Sequence, residues 1–227
     1  EPYNQWLRSI RTEDPVLRAV VDVVINATEF YIITENQLGK GDITQLENLI
    51  DKLDVETDVS AFDEEIDTWI RIVREDFIGL CYFMLADLEE EREEDMRDAL
   101  AHFQNACEKL EELSCERLED ETYIRIWEGY LYRNMAVAQG ILGERDAMEE
   151  SFARGQEARK TSWIYFSNHS SDPVLCNNFT LEYFLIQAER MKYLGQDDRR
   201  AKQKIRRQLA EMRRKYSKQY SLLSLVE

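Results

Sequence analysis

"DALAHFQNACEKL", residues 98–110, places Ala99, Phe103 and Ala106 at intervals of four and three. That spacing puts all three side chains on one stripe of a helix. Two small residues let a neighbouring helix come close, and the aromatic ring between them fills the remaining gap. The stripe is packing information and carries no chemistry, so its value depends on whether it stands alone or repeats.

The same period runs through most of the chain, and two-residue alternation is nearly absent. Leu17, Val20, Val24, Thr28 and Tyr31 form a stripe on a helix predicted near residues 15–37. Asp42 is placed to cap a shorter helix bearing Ile43, Leu46, Leu49 and Ile50. After a loop in "DVETDVSAFDEE", Ile66, Ile70, Val73, Phe77, Leu80, Met84 and Leu88 make a nearly heptad seam. The acidic run Asp87–Asp95 separates that helix from the one carrying Ala99, Phe103, Ala106, Leu110 and Leu113. Further helices carry Tyr123, Trp127, Tyr130, Leu131, Asn134 and Ala138, then Met148 and Phe152. Beyond the loop "NHSSDP", Pro173 opens another helix, and the last bears Ile205, Leu209, Met212, Tyr216 and Tyr220.

The turns repeat as well. Leu38-Gly39, Leu142-Gly143 and Leu194-Gly195 are each followed within three residues by Asp. Glycine fits the left-handed residue that ends a helix, and the Asp fits the cap of the returning one. Gly143 and Gly195 are 52 residues apart and Gly39 and Gly143 are 104 apart, so the midpoint of the longer interval falls in the acidic run. The spacing predicts four helical hairpins of about fifty residues, one of them turning through charge instead of glycine.

On these residues the chain resembles the tetratricopeptide-repeat (TPR) family. Ala99, Phe103 and Ala106 match the family's second-helix pattern. In "LYRNMAVAQGILGERDAMEESFARGQEAR", Tyr132 stands at its first aromatic position, Ala136 at its small position, Gly143 at its turn, Phe152 at its second-helix aromatic and Gly155 at the following small position. The period is nearer fifty than thirty-four, Gln139 replaces the usual tyrosine, Met148 replaces the usual alanine, and no proline closes the unit. The expected fold class is therefore all-α: antiparallel helical hairpins stacked as a TPR-like right-handed superhelix or short α-solenoid. One domain is expected over 1–227, with an N-terminal hairpin in 1–57, the best-matching hairpins in 58–167, and a C-terminal hairpin with a capping helix in 168–227. The resemblance implies a concave surface presented to a protein or peptide, as in an adaptor or sensor region.

Composition agrees with a folded, surface-charged helical protein: three prolines and eight glycines in 227 residues, 33% charged and 44% apolar. The net charge of −17 opposes both nucleic-acid coating and binding to anionic membranes. It is unevenly spread, because residues 199–218 carry +9 and the remainder −26. An acidic body predicts a basic partner and salt-sensitive binding. The basic helix reads first as a docked cap with a solvated face. Its alternatives are a homo-oligomer contact and a nucleic-acid-associated regulator acting through Arg206, Arg207, Arg213 and Arg214. Four scattered cysteines read as reduced thiols. The apolar stretch around residues 15–33 is broken by Arg18, Asp22 and Glu29, so no membrane span is expected and a cytoplasmic location is. The start "EPYN" lacks a methionine, as a segment of a longer chain would.

Chemistry is hard to find. His102 and His169 are the only histidines, and neither has metal-ligand spacing to another His or to Cys. Ala99 and Phe166 stand where a di-iron bundle would need glutamates three residues before each histidine. No phosphate loop, nucleophile elbow or HExxH appears. The expectation is a non-enzymatic chain without catalytic residues, cofactor or metal; a helical-bundle enzyme with an unrecognised carboxylate pair is the remote alternative. The partner-binding candidates are Trp127, Tyr130 and Asn134, with Glu90, Glu91 and Glu94 as an acidic docking patch.

Overall fold

The computed structural model describes residues 14–34, 42–54, 64–88, 92–113, 118–169, 173–195 and 199–216. These form eight helices and, among the described residues, no strand: α1 (Pro15–Thr34), α2 (Ile43–Asp54), α3 (Glu64–Leu88), α4 (Arg92–Glu112), α5 (Leu118–Leu142), α6 (Arg145–His169), α7 (Pro173–Tyr193) and α8 (Arg199–Tyr216). Each helix packs on the next in the chain, most extensively within the pairs α3/α4 and α5/α6. Odd helices also meet one another, α1 with α3 and α5 with α7. Where the predicted turns are described the spacing holds, with the turn after α5 at Gly143 and the turn after α7 at Gly195; Gly39 and residues 89–91 of the acidic run lie outside the described residues.

The opening stripe does what its residue types allow. Ala99, Phe103 and Ala106 are all 0% exposed. Gly79 on α3 receives the Phe103 ring so closely that an added Cβ would stand 2.7 Å from it. Burying one such aromatic side chain contributes roughly 1.5–3 kcal/mol. The α5/α6 pair repeats the device with Ala136 and Phe152 at 0% exposure. There Gly155 lets α6 approach both α5, with Tyr132 Cβ 3.2 Å from an added Cβ, and Ile186 of α7, at 2.9 Å.

Gly143 and Gly195 have φ of 80° and 63°, the left-handed conformation expected of residues that end helices. After Gly143, the Glu144 amide donates to the Gln139 carbonyl at 2.8 Å, closing the helix end. The capping assignment needs one correction. Helix α6 begins at Arg145, so Asp146 lies inside its first turn, where it favours the positive end of the helix dipole but is not the cap. Asp42 does directly precede α2, and Gln45 Nε2 donates to its carboxylate at 3.1 Å.

A second correction concerns α1. Leu17, Val20 and Tyr31 of the expected core stripe are exposed, whereas Ala19, Phe30 and Ile33 are buried. Much of this helix is apolar, so it offers more than one stripe of the right period, and α2 and α3 choose between them. On α8, Ile205 is buried while Lys202, Lys204, Arg206 and Arg207 face solvent. The side chains of Leu209, Met212, Arg213, Arg214 and Tyr216 lie outside the described residues. No described helix is long and apolar enough to cross a membrane.

Candidate functional site

Steps of three and four place Trp127, Tyr130 and Asn134 on one side of α5. The structure brings that side against α3. Trp127 lies 6.1 Å from Trp69 and 6.4 Å from Tyr130, centroid to centroid. From α1, Tyr31 meets Phe77 edge-on at 6.1 Å and remains 59% exposed. Trp69, Trp127 and Tyr130 are half-buried, so an aromatic surface runs across the odd-numbered helices.

Beneath it lies a group that the sequence reading did not select. Asp76 of α3 is 2% exposed, and its Oδ1 has no hydrogen-bond partner. Asn134, 5% exposed, faces it from α5 with its Nδ2 equally unpartnered, while its Oδ1 accepts from Arg133 Nη1 at 3.3 Å. Burial pushes the Asp76 carboxyl up to about 8, and the Asn134 amide opposes that rise only partly. Burial and then the Asp76 charge raise the Tyr130 phenol well above the usual tyrosine range. Burial followed by Asp76 and Glu182 raises Tyr31 in the same direction.

Two ion pairs frame this region and tie α7 to it. Arg133 grips Glu189 with both arms, at 2.7 and 2.6 Å. Arg159 comes from α6, is almost wholly buried, passes over Tyr130 at 6.0 Å and reaches Glu182 at 2.7 Å. Its path exists because residue 129 is glycine: an added Cβ there would stand 2.7 Å from Arg159 Cγ. The bidentate Arg133–Glu189 pair fixes geometry as well as charge.

Of the expected binding residues, Trp127, Tyr130 and Asn134 are thus brought together. Glu94 is exposed in the first turn of α4, at the end of the α4/α5 pair remote from Trp127. Glu90 and Glu91 lie outside the described residues. The histidines make ordinary local contacts. His102 Nδ1 is 2.8 Å from Glu75 and its ring stacks on Tyr82, and His169 Nδ1 is 2.9 Å from the Tyr165 carbonyl. Burial alone would raise Glu75, but the hydrogen bonds from His102 and Asn105 hold it below the usual carboxylate value. Cys81 and Cys107 are buried free thiols. No described cluster of His, Cys, Asp and Glu could hold a metal ion. Asp76 had a visible signal: it ends the charged triplet Arg74-Glu75-Asp76 directly before the apolar "FIGLCYF" and stands two helical turns after Trp69. No family model, curated protein or solved structure matches the chain.

Proposed function

We propose that this protein is a non-enzymatic, TPR-like module that binds a protein or peptide on its odd-helix face, and that its acidic surface selects a basic partner. One observation carries the reading: exposed Tyr31 and half-buried Trp127 and Tyr130 converge from two helices above Asp76 Oδ1 and Asn134 Nδ2, two buried polar atoms without a hydrogen-bond partner. Tyrosine and tryptophan supply large contact area at small entropic cost, with a polar tip to direct the ligand. Arg133–Glu189 and Arg159–Glu182 hold the neighbouring helix in place, so the face is preorganised. The net charge of −17 steers a basic partner toward it. The docked Ile205 favours a capping role for α8 over a nucleic-acid arm.

A photo-crosslinking residue at position 31 tests this in the source cell extract, with position 123 on α5 as the control, since Tyr123 is also exposed. Position 31 should capture a discrete basic protein at low salt, and the adduct should vanish near about 0.5 M salt, where charges are screened within a few ångströms. Equal capture at both positions, or none at position 31, would overturn the reading.

A further inference from the structure

Helix α5 has a second working side. Tyr132, Met135 and Gln139 point away from Trp127 and Tyr130 and form the floor of a groove whose walls are α4 and α6. The groove holds a cavity of about 470 Å³ between Gln104, Glu108 and Glu111 on one wall and Glu150, Ser151 and Arg154 on the other. A second cavity of about 450 Å³ continues past Arg154 toward Arg125.

The chain already seats one guanidinium in this groove. Arg154 lies 4.3 Å from the centroid of the Tyr132 ring and 3.5 Å from Glu111. At the Arg125 end the charges are matched internally, since Arg125 pairs with both Glu121 and Glu128. At the other end they are not. Glu108 and Glu150 face the larger cavity from opposite walls, and neither has a cationic partner among the described residues. Between them, on the floor, Gln139 is 4% exposed and its Oε1 has no hydrogen-bond partner. A buried acceptor left without a donor is costly, and an incoming N–H would remove that cost.

We propose that this groove is a second docking site, for an extended, arginine-bearing segment of a partner protein. The arginine lies between Glu108 and Glu150, and an N–H of the segment bonds Gln139 Oε1. Charge complementarity names the side chain, and the orphan acceptor names the need for a donor at the floor. The cavity volume is that of a pocket for a few side chains. The site lies on the side of α5 opposite the aromatic face and does not depend on what that face binds.

The test uses the full chain labelled with ¹³C at methionine methyls, with Met135 assigned by Met135→Leu. It is titrated with a capped Gly-Arg-Gly-Arg-Gly peptide and with the same peptide carrying neutral citrulline for arginine. The arginine peptide should move the Met135 resonance, and the citrulline peptide should leave it in place. Glu108→Gln/Glu150→Gln should weaken binding at least ten-fold, and Gln139→Leu several-fold, with thermal midpoints no lower than wild type. Glu47→Gln/Glu64→Gln, which removes as much charge at exposed positions away from the groove, should bind within two-fold of wild type. Equal responses to both peptides, equal losses in the two double variants, or an unmoved Met135 resonance overturn the proposal. Binding lost in Trp127→Ala but kept in Glu108→Gln/Glu150→Gln also overturns it, while leaving the odd-helix reading in place.

Discussion

Replacing Asp76 with asparagine isolates a buried carboxyl whose charged form is strongly disfavoured by desolvation. The substitution keeps shape and hydrogen-bonding capacity but removes titration. In the native state burial holds the carboxyl near 8, against an ordinary value of 3.8. Asn134 faces it from α5, and the ionisable groups that feel its charge are Tyr31, Tyr130 and Cys107. Between those two values the folded protein binds the proton and the unfolded chain does not, so stability falls as pH rises and levels off above about 8. The limiting slope is about 1.4 kcal/mol per pH unit, so between about pH 5.5 and 7.5 wild type should lose about 2–3 kcal/mol relative to Asp76→Asn. Near neutrality the variant should be the more stable protein by up to about 4 kcal/mol, an upper bound that any opening of the site to water reduces. Urea titrations of both proteins at closely spaced pH values measure the difference directly, and equal m-values confirm that the same transition is followed. General repulsion among the other carboxylates is common to both and cancels. A stability difference that stays flat across that window, or grows as pH falls, refutes the assignment of Asp76 as buried and unpaired.

Other substitutions probe the architecture. Gly129→Ala should cost about 1–3 kcal/mol because its Cβ enters the space of the Arg159 side chain, and a double-mutant cycle with Arg159→Ala by chemical denaturation should show strong non-additivity. Gly143→Ala meets no atoms within 4 Å but keeps φ at 80°, so it should cost about 1 kcal/mol through backbone strain alone, read as a lower thermal midpoint with unchanged helicity. Phe103→Ala should cost about 3–5 kcal/mol, since its fully buried ring fills the space over Gly79, and the same denaturation assay reads the loss. Burial raises the Cys81 and Cys107 thiols to about 12, so iodoacetamide near neutral pH should leave both unmodified in the folded protein and label both in urea, by mass spectrometry.

The all-helical class, the glycine-ended helices at Gly143 and Gly195 and the α3/α4 interface were legible because their causes are local. A four-and-three spacing of small and aromatic residues has one use on a helix, and a glycine ending a long helix has one favoured backbone conformation. Ala99, Phe103 and Gly143 therefore carried their meaning on their own. The stripe of α1 misled for an equally physical reason: Leu17 and Val20 have the right period, but Ala19, Phe30 and Ile33 are the residues that α2 and α3 cover. The candidate face was half legible. Trp127, Tyr130 and Asn134 share a side of α5 by arithmetic, whereas the acid beneath them comes from α3 and the framing arginine from α6.

Residue order alone sets the element menu: helices of a given length, ended by particular glycines, each with an apolar side to bury. Packing between distant segments sets which side meets which neighbour. Asp76 becomes an unpaired buried acid only because α5 offers it Asn134 and no cation, and Arg159 becomes a clamp only because Gly129 opens its way to Glu182. Burial and pairing are properties of contacts between distant segments. Side-chain period records that a helix has faces, and only packing assigns each face its partner.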